Sequence, residues 1–309
     1  MTRKLNVVLM ALLLLAGAPF AWFLLDASAA HGEAKPLTIK QLRRLAASDP
    51  HAGTATPVAI RYEVVARKHI VSDLLAAGSG LKPHVFALLA YQLLFDDGSV
   101  VTLDRGLTRG QAKESGFSHF DTAAQTRVER ALAASALDLR LTGQAPPHAA
   151  LESAAPYAAS PGIVVIPTPG VNVGARMIYV RLADGREVLF AGDIAPIPDS
   201  WTQQRPPARL ATAHLYKANR DEIAGWLGTI AALRAASPAL HIVAGHDMAV
   251  PRLIEPGFID TSGHSHRPGR SMARSGEISP ISNWQCRLGC GKARAIEAAG
   301  GAPWSGSTS

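Results

Sequence analysis

Residues 162–195 read G-I-V-V-I-P-T-P-G-V-N-V-G-A-R-M-I-Y-V-R-L-A-D-G-R-E-V-L-F-A-G-D-I-A. Three apolar runs of strand length are separated by a proline-glycine turn and by A-D-G-R, and the last run ends in Gly192-Asp193. Uninterrupted runs of Val, Ile and Leu of this length predict strands buried on both faces, and A-D-G-R predicts a hairpin turn. The turn after 163–166 lacks the G-x-x-x-x-G-K-[ST] spacing and a following lysine, so it is not a phosphate cradle. No G-x-S-x-G element supports a serine nucleophile.

Outward from that stretch, 240–244 is another short strand and ends in Gly245-His246-Asp247. Three strand ends therefore carry glycine beside polar groups: Gly170, Gly192-Asp193 and Gly245-His246. Glycine there lets the backbone turn sharply and projects the next side chain beyond the sheet edge, where a cation can be reached. Between 193 and 240, Asn219 and Glu222 are spaced as a capping box, and Ile223, Trp226, Leu227 and Ile230 form one helical stripe.

Upstream, 38–47 predicts a short helix and 58–65 alternates as a half-buried strand. Residues 86–95 and 100–103, joined across Asp97-Gly98, predict a hairpin ending at Asp104. Asp121 or Thr122 caps a helix with Ala124, Val128, Ala131 and Leu132 on its apolar face. The prolines and small residues from 139 to 161 predict loop. Each half has strands followed by a helix, which predicts two packed sheets with helices outside.

Together these motifs resemble the metallo-β-lactamase-fold hydrolases, over roughly residues 58–258. F-D-D-G-S-V-V-T-L-D-R-G-L resembles their early strand pair, and the 162–195 stretch followed by a helix and I-V-A-G-H-D resembles their C-terminal half. The resemblance implies an α+β fold, an αββα sandwich with a metal site at one sheet edge. That metal is usually zinc, with iron also accommodated, and a bound hydroxide attacks an ester, amide, thioester or phosphoester of a small molecule. Carried over residue by residue, Asp193 matches the bridging aspartate, His246 the last histidine ligand, and Asp104 the structural aspartate, with Gly170, Gly192 and Gly245 beside the site. The family's proline-glycine-histidine turn has Val171 in the histidine position. Its H-x-H-x-D-H signature, laid on T-G-Q-A-P-P-H, leaves Gly143, Ala145 and Pro147 at ligand positions and only His148 in register; L-R-L-T-G-Q fits equally a later piece with the signature deleted. Only 23 positions separate His148 from Val171, which predicts that part of the central region is missing. The expected function is an exported, membrane-tethered hydrolase with a degenerate site (Asp193, His246 and His148), or an inactive relative serving as a membrane-attached binding domain.

The ends carry different signals. Arg3 and Lys4 precede an uncharged run, 5–25, long enough to cross roughly 30 Å of hydrocarbon at 1.5 Å per residue. A-S-A-A at 27–30 resembles a cleavage site, so 1–30 is either a signal anchor or a signal peptide. Charges before the run predict export of the chain beyond Asp26, facing the periplasm or cell exterior from the inner membrane, or secreted if cleaved. Residues 31–57 are a linker with a short helix. Residues 259–309 are a tail with little expected order, holding His264, His266, Cys286 and Cys290, a loose set that supports a local disulfide or incidental cysteines better than a metal site. The formal charge of +7 includes +2 from Arg3 and Lys4 and +4 from 261–309. The nearly neutral body excludes a nucleic-acid face.

Overall fold

In a computed structural model, the described residues are 2–26, 28, 32–48, 55–141, 155–171, 174–215 and 217–260. The apolar N-terminal run is helical, α1 at Thr2–Phe20 continuing as a π-helical stretch at Ala21–Leu25. Helix α2 (Ile39–Ala46) begins where Thr38 accepts a hydrogen bond from Gln41 N.

The first sheet is built from β1 (Ala59–Val71), β2 (Pro83–Leu94), β3 (Val100–Leu103), β4 (His119–Phe120), β5 (Leu137–Leu139) and β11 (Ile254–Pro256), in the order β11-β1-β2-β3-β5 with β4 beside β1. The second holds β6 (Tyr157–Ser160), β7 (Ile163–Pro167), β8 (Arg176–Arg181), β9 (Glu187–Phe190) and β10 (His241–Val243), in the order β10-β9-β8-β7-β6. The strand expected at 58–65 is longer than its alternation indicated. A bulge between Val64 and Ala66 shifts its register and carries the pairing with β2 on to Val71. Sequence reading also missed β5 and β6: 137–139 and 157–160 are too short and too mixed for a period, and their pairing partners, β3 and β7, define them.

Alternation within the deciding stretch sorts its side chains between two cores. Ile163, Val165, Ile178, Val180, Val188 and Phe190 face the first sheet and pack on Ile60, Leu89, Tyr91, Leu93 and Leu103. Val164, Ile166, Met177, Tyr179 and Leu189 face the other way, onto α2 and onto Ile223, Trp226, Leu227 and Ile230 of α7 (Arg220–Ala236). On the outer face of the first sheet, Val65 and Ala90 pack on Val128 and Ala131 of α5 (Thr122–Ala134), which Asp121 caps at Ala124 N. The layers are thus helix, sheet, sheet, helix, the expected αββα sandwich. Burial on both faces explains why 163–166 is apolar without a break.

Short helices close the gaps: α3 (Ser72–Leu75) before β2, α4 (Arg109–Glu114) behind a Thr108–Gln111 capping box, and α6 (Pro198–Thr202). At α7 the expected box is half formed. Asn219 Oδ1 accepts from Asp221 N and Glu222 N, while the Glu222 carboxylate pairs with Lys35 Nζ at 2.7 Å.

Candidate functional site

Two glycines bring the ends of β9 and β10 together. Gly192 adopts φ +53°, and a Cβ there would sit 3.1 Å from Arg176 O and 3.3 Å from Leu141 O. A Cβ on Gly245 would lie 2.3 Å from Gly192 O, so a side chain at 245 would force the two strand ends apart. Gly245 N donates to Ala195 O at 3.0 Å and His246 N donates to Pro196 O at 2.9 Å. The backbone thus fixes Asp193 and His246 as neighbours although 53 positions separate them.

His246 Nε2 lies 2.9 Å from Asp193 Oδ1, and His246 Nδ1 lies 3.1 Å from Ala87 O. The Phe86 ring stacks on the imidazole, with centroids 4.0 Å apart at 19°. The histidine is buried, whereas the Asp193 side chain keeps about a quarter of its surface in solvent, at 27%. With Nδ1 donating to the Ala87 carbonyl, Nε2 is the nitrogen that faces Asp193, and a hydrogen bond from the other ring nitrogen is what orients a histidine that binds a metal.

A second histidine–carboxylate pair stands beside it. His84 Nε2 is 2.9 Å from Asp247 Oδ2, close enough for an ion pair though not aligned as a hydrogen bond, and Asp247 Oδ1 accepts from Ala249 N at 2.5 Å. Sequence reading singled out Asp247 only as part of Gly-His-Asp and missed His84. Its one local signal is a histidine at the start of a strand, and only the β1–β2 register brings it to this edge.

The other expected site residues divide. Asp104, at φ +63°, follows β3 and its Oδ1 accepts from Leu141 N at 3.0 Å, while its own N donates to Leu139 O. Aspartate tolerates that left-handed conformation, and the bond ties the end of β3 to the chain just beyond β5. Gly170 takes φ +83°, and a Cβ there would be 2.9 Å from Glu222 Cγ. Val171 is 2% exposed and packs in the α7-side core with Ile194, Ala195 and Ile223, while its carbonyl accepts from Asn219 N at 3.0 Å. His148, Gly143, Ala145 and Pro147 lie outside the described residues, as do His264, His266, Cys286 and Cys290.

The donor set supports part of a metal shell. An imidazole nitrogen and a carboxylate oxygen face each other, the imidazole held from behind. Among the described residues, however, no three His, Cys, Asp or Glu side chains group to hold an ion. Catalytic zinc sites hold the metal by three protein ligands and leave one position open; here Asp193 and His246 bring two donor atoms together.

No family model matches the chain, and no curated protein does. Among solved structures it is similar to an N-acyl homoserine lactone hydrolase with N-hexanoyl-L-homoserine bound at its catalytic metal centre, at 14% identity over 62% of this chain and 94% of that one, with a TM-score of 0.46. A B. thuringiensis AiiA variant with N-decanoyl-L-homoserine bound is similar at 14% over 62% and 94%, TM-score 0.46. A Cronobacter sakazakii metallo-β-lactamase is similar at 17% over 69% and 95%, TM-score 0.20. By its own layer order and sheet topology this chain is an αββα sandwich, the architecture that its sequence resemblance implies.

Proposed function

We propose that this protein is an exported, membrane-tethered hydrolase of the metallo-β-lactamase-like class with a reduced metal site, in which Asp193 and His246 are the retained donors and His148 the candidate third. The observation that carries this reading is the Asp193–His246 contact at 2.9 Å, with Nδ1 of the histidine anchored on Ala87 O. A zinc or iron ion bound there would supply a water of lowered pKa for cleavage of a small-molecule ester, amide, thioester or phosphoester. The chain's own part is positional: Ala87 and Phe86 hold the imidazole, and the two glycines hold the strand ends in register.

A second reading, a catalytically silent domain that binds at the membrane, is favoured by one specific observation. Val171 fills a core site where active members of the class that the sequence resembles place a histidine. Elemental analysis of the purified full chain for zinc and iron separates the two. The hydrolase reading expects bound metal that Asp193→Ala and His246→Ala each remove. Less than about a tenth of an equivalent, where binding at micromolar metal should fill most sites, excludes it; metal retained in both variants places the ion elsewhere.

A further inference from the structure

The N-terminal helix does not end free of the sandwich. The Arg209 guanidinium donates from Nε and Nη2 to Asp26 Oδ2, at 3.0 and 2.6 Å, and sits over the Trp22 ring at 4.1 Å. The buried Arg220 reaches the same segment, with Nη2 donating to Asp26 O at 2.7 Å and Nη1 to Ser28 O at 3.0 Å. Its Nε donates to Pro207 O at 3.1 Å. Hydrogen bonds from Ser28 and Arg209 hold the Asp26 carboxyl down at about 2. A sequence removed after export has no need of two arginines from the mature domain satisfying its backbone and its carboxylate.

The clamp lies at a corner that also carries exposed apolar groups. Residues 205–208 hydrogen-bond the 73–80 segment, with Ala77 N on Pro206 O, Ala208 N on Asp73 O, and Arg205 on Gly78 O. Outside the N-terminal helical run, four large apolar side chains stand exposed among the described residues: Leu81, Leu210, Met248 and Ile259. Leu81 follows the 73–80 segment, Leu210 follows Arg209, and Met248 follows the Asp247 that meets His84. Leu81 and Leu210 thus stand next to the two segments that meet at the clamp, and Met248 follows the residue that meets His84, the second residue of the strand into which the 73–80 segment leads. Such grouping beside a spanning helix suits a lipid interface, where apolar side chains enter the boundary between headgroup and acyl chain.

We propose that residues 2–25 are a retained anchor clamped to the sandwich by Arg209 and Arg220, and that the corner bearing Leu81, Leu210 and Met248 rests in the bilayer interface. The inference uses only the export and tethering part of the function proposed above, not its metal. The site is linked to that corner through packing: Phe86, which stacks on His246, belongs to one small core with Ile70, Leu75, Ala76 and Ile197, and the next residue, Ala77, donates its N–H to Pro206 O.

The test uses the full chain with Cys286→Ser and Cys290→Ser, reconstituted in phosphatidylethanolamine–phosphatidylglycerol vesicles. Single cysteines at Leu81, Leu210, Met248 and, as a control on the hairpin at the opposite end of β8 and β9, Asp184 are labelled with an environment-sensitive fluorophore. Brominated lipids should quench the label at 81, 210 and 248 by about two-fold or more, consistent with insertion of roughly 5–10 Å, and leave 184 unaffected. Arg209→Ala should reduce quenching at 81 and 210 while the chain stays in the vesicles. Equal quenching at all four positions with the first 25 residues present by intact mass overturns the docked corner and leaves tethering standing. A mature chain found without those residues, in the soluble fraction, overturns the anchor and the tethering reading together.

Discussion

His246 shows how little of a site lies in any one residue. Its imidazole is set by a carbonyl from β2, a ring from β2 and a carboxylate from the end of β9, and only the last of these was marked in the sequence, by Gly192-Asp193. Glycine before a polar residue at a strand end was legible because only glycine tolerates the close approach there. The opposite case is Val171. Its position in the turn was readable; the direction of its side chain was not, since residues alternate between two cores and the turn decides which one it enters. Because Val171 is buried in the α7-side core, Val171→His should bury an imidazole among apolar groups, lowering stability by about 1–3 kcal/mol without adding a ligand. Thermal denaturation with a parallel zinc titration checks this; a gain of zinc binding in Val171→His would show that position 171 reaches the edge after all.

At the scale of elements, two contacts fix how the outer helices sit on the second sheet. The segment at 32–35 crosses α7 where it is glycine: a Cβ on Gly225 would meet Glu33 O at 2.6 Å, and Lys35 N donates to Thr229 Oγ1 at 2.7 Å. Gly225→Ala should therefore favour the helix itself by up to about 1 kcal/mol yet push the crossing segment away. Hydrogen exchange should show a faster Lys35 amide over an unchanged α7, and unaltered exchange at Lys35 would mean that the crossing is looser than its geometry. Glycine there reads in the sequence merely as a helix residue of low propensity, since a backbone packed on it from a distant part of the chain leaves no local pattern.

The second contact is a clasp. Arg43 of α2 donates to both Glu187 oxygens, at 2.6 and 2.8 Å, and Tyr179 Oη donates to Glu187 Oε1 at 2.6 Å. Burial pushes the Glu187 carboxyl up, but the bonds from Arg43, Tyr179 and Ser237 more than offset it and leave it below the usual value. A depressed carboxyl contributes stability above its unfolded value, about 4.3, and loses it as pH falls through the folded one. Glu187→Gln should thus cost about 2 kcal/mol near neutrality, less than for a fully buried pair because Arg43 is half exposed, and the gap from wild type should narrow below about pH 4. Melting curves of both proteins across that range decide it; a gap that widens on acidification contradicts the clasp.

For the molecule as a whole, the sandwich carries both cores, whereas no residue of α1 and its continuation, Thr2–Leu25, is buried within the protein. Deleting 1–25 should leave the two-sheet core and its cooperative unfolding intact, as measured by far-ultraviolet circular dichroism and thermal melting. Loss of cooperative unfolding in the shortened chain would show that the helix contributes to folding rather than to placement. Its clamp residues, Arg209 and Arg220, carried no sign of that role in the sequence, where they stand as loop and helix-start arginines. Nothing local distinguishes an arginine that meets solvent from one that meets Asp26.

Composition and period determined most of the architecture. Apolar runs without alternation required strands covered on both faces, the 223–230 stripe required a helix to cover one of them, and the glycines at 192 and 245 marked strand ends where the backbone turns sharply. These follow from short-range chemistry, which sequence records. Tertiary structure alone decided the pairing of His84 with Asp247, the inward turn of Val171, the extra strands β5 and β6, and the arginine clamp on Asp26. Each depends on which distant backbone passes nearby, and that is settled only when the two sheets close on a shared core.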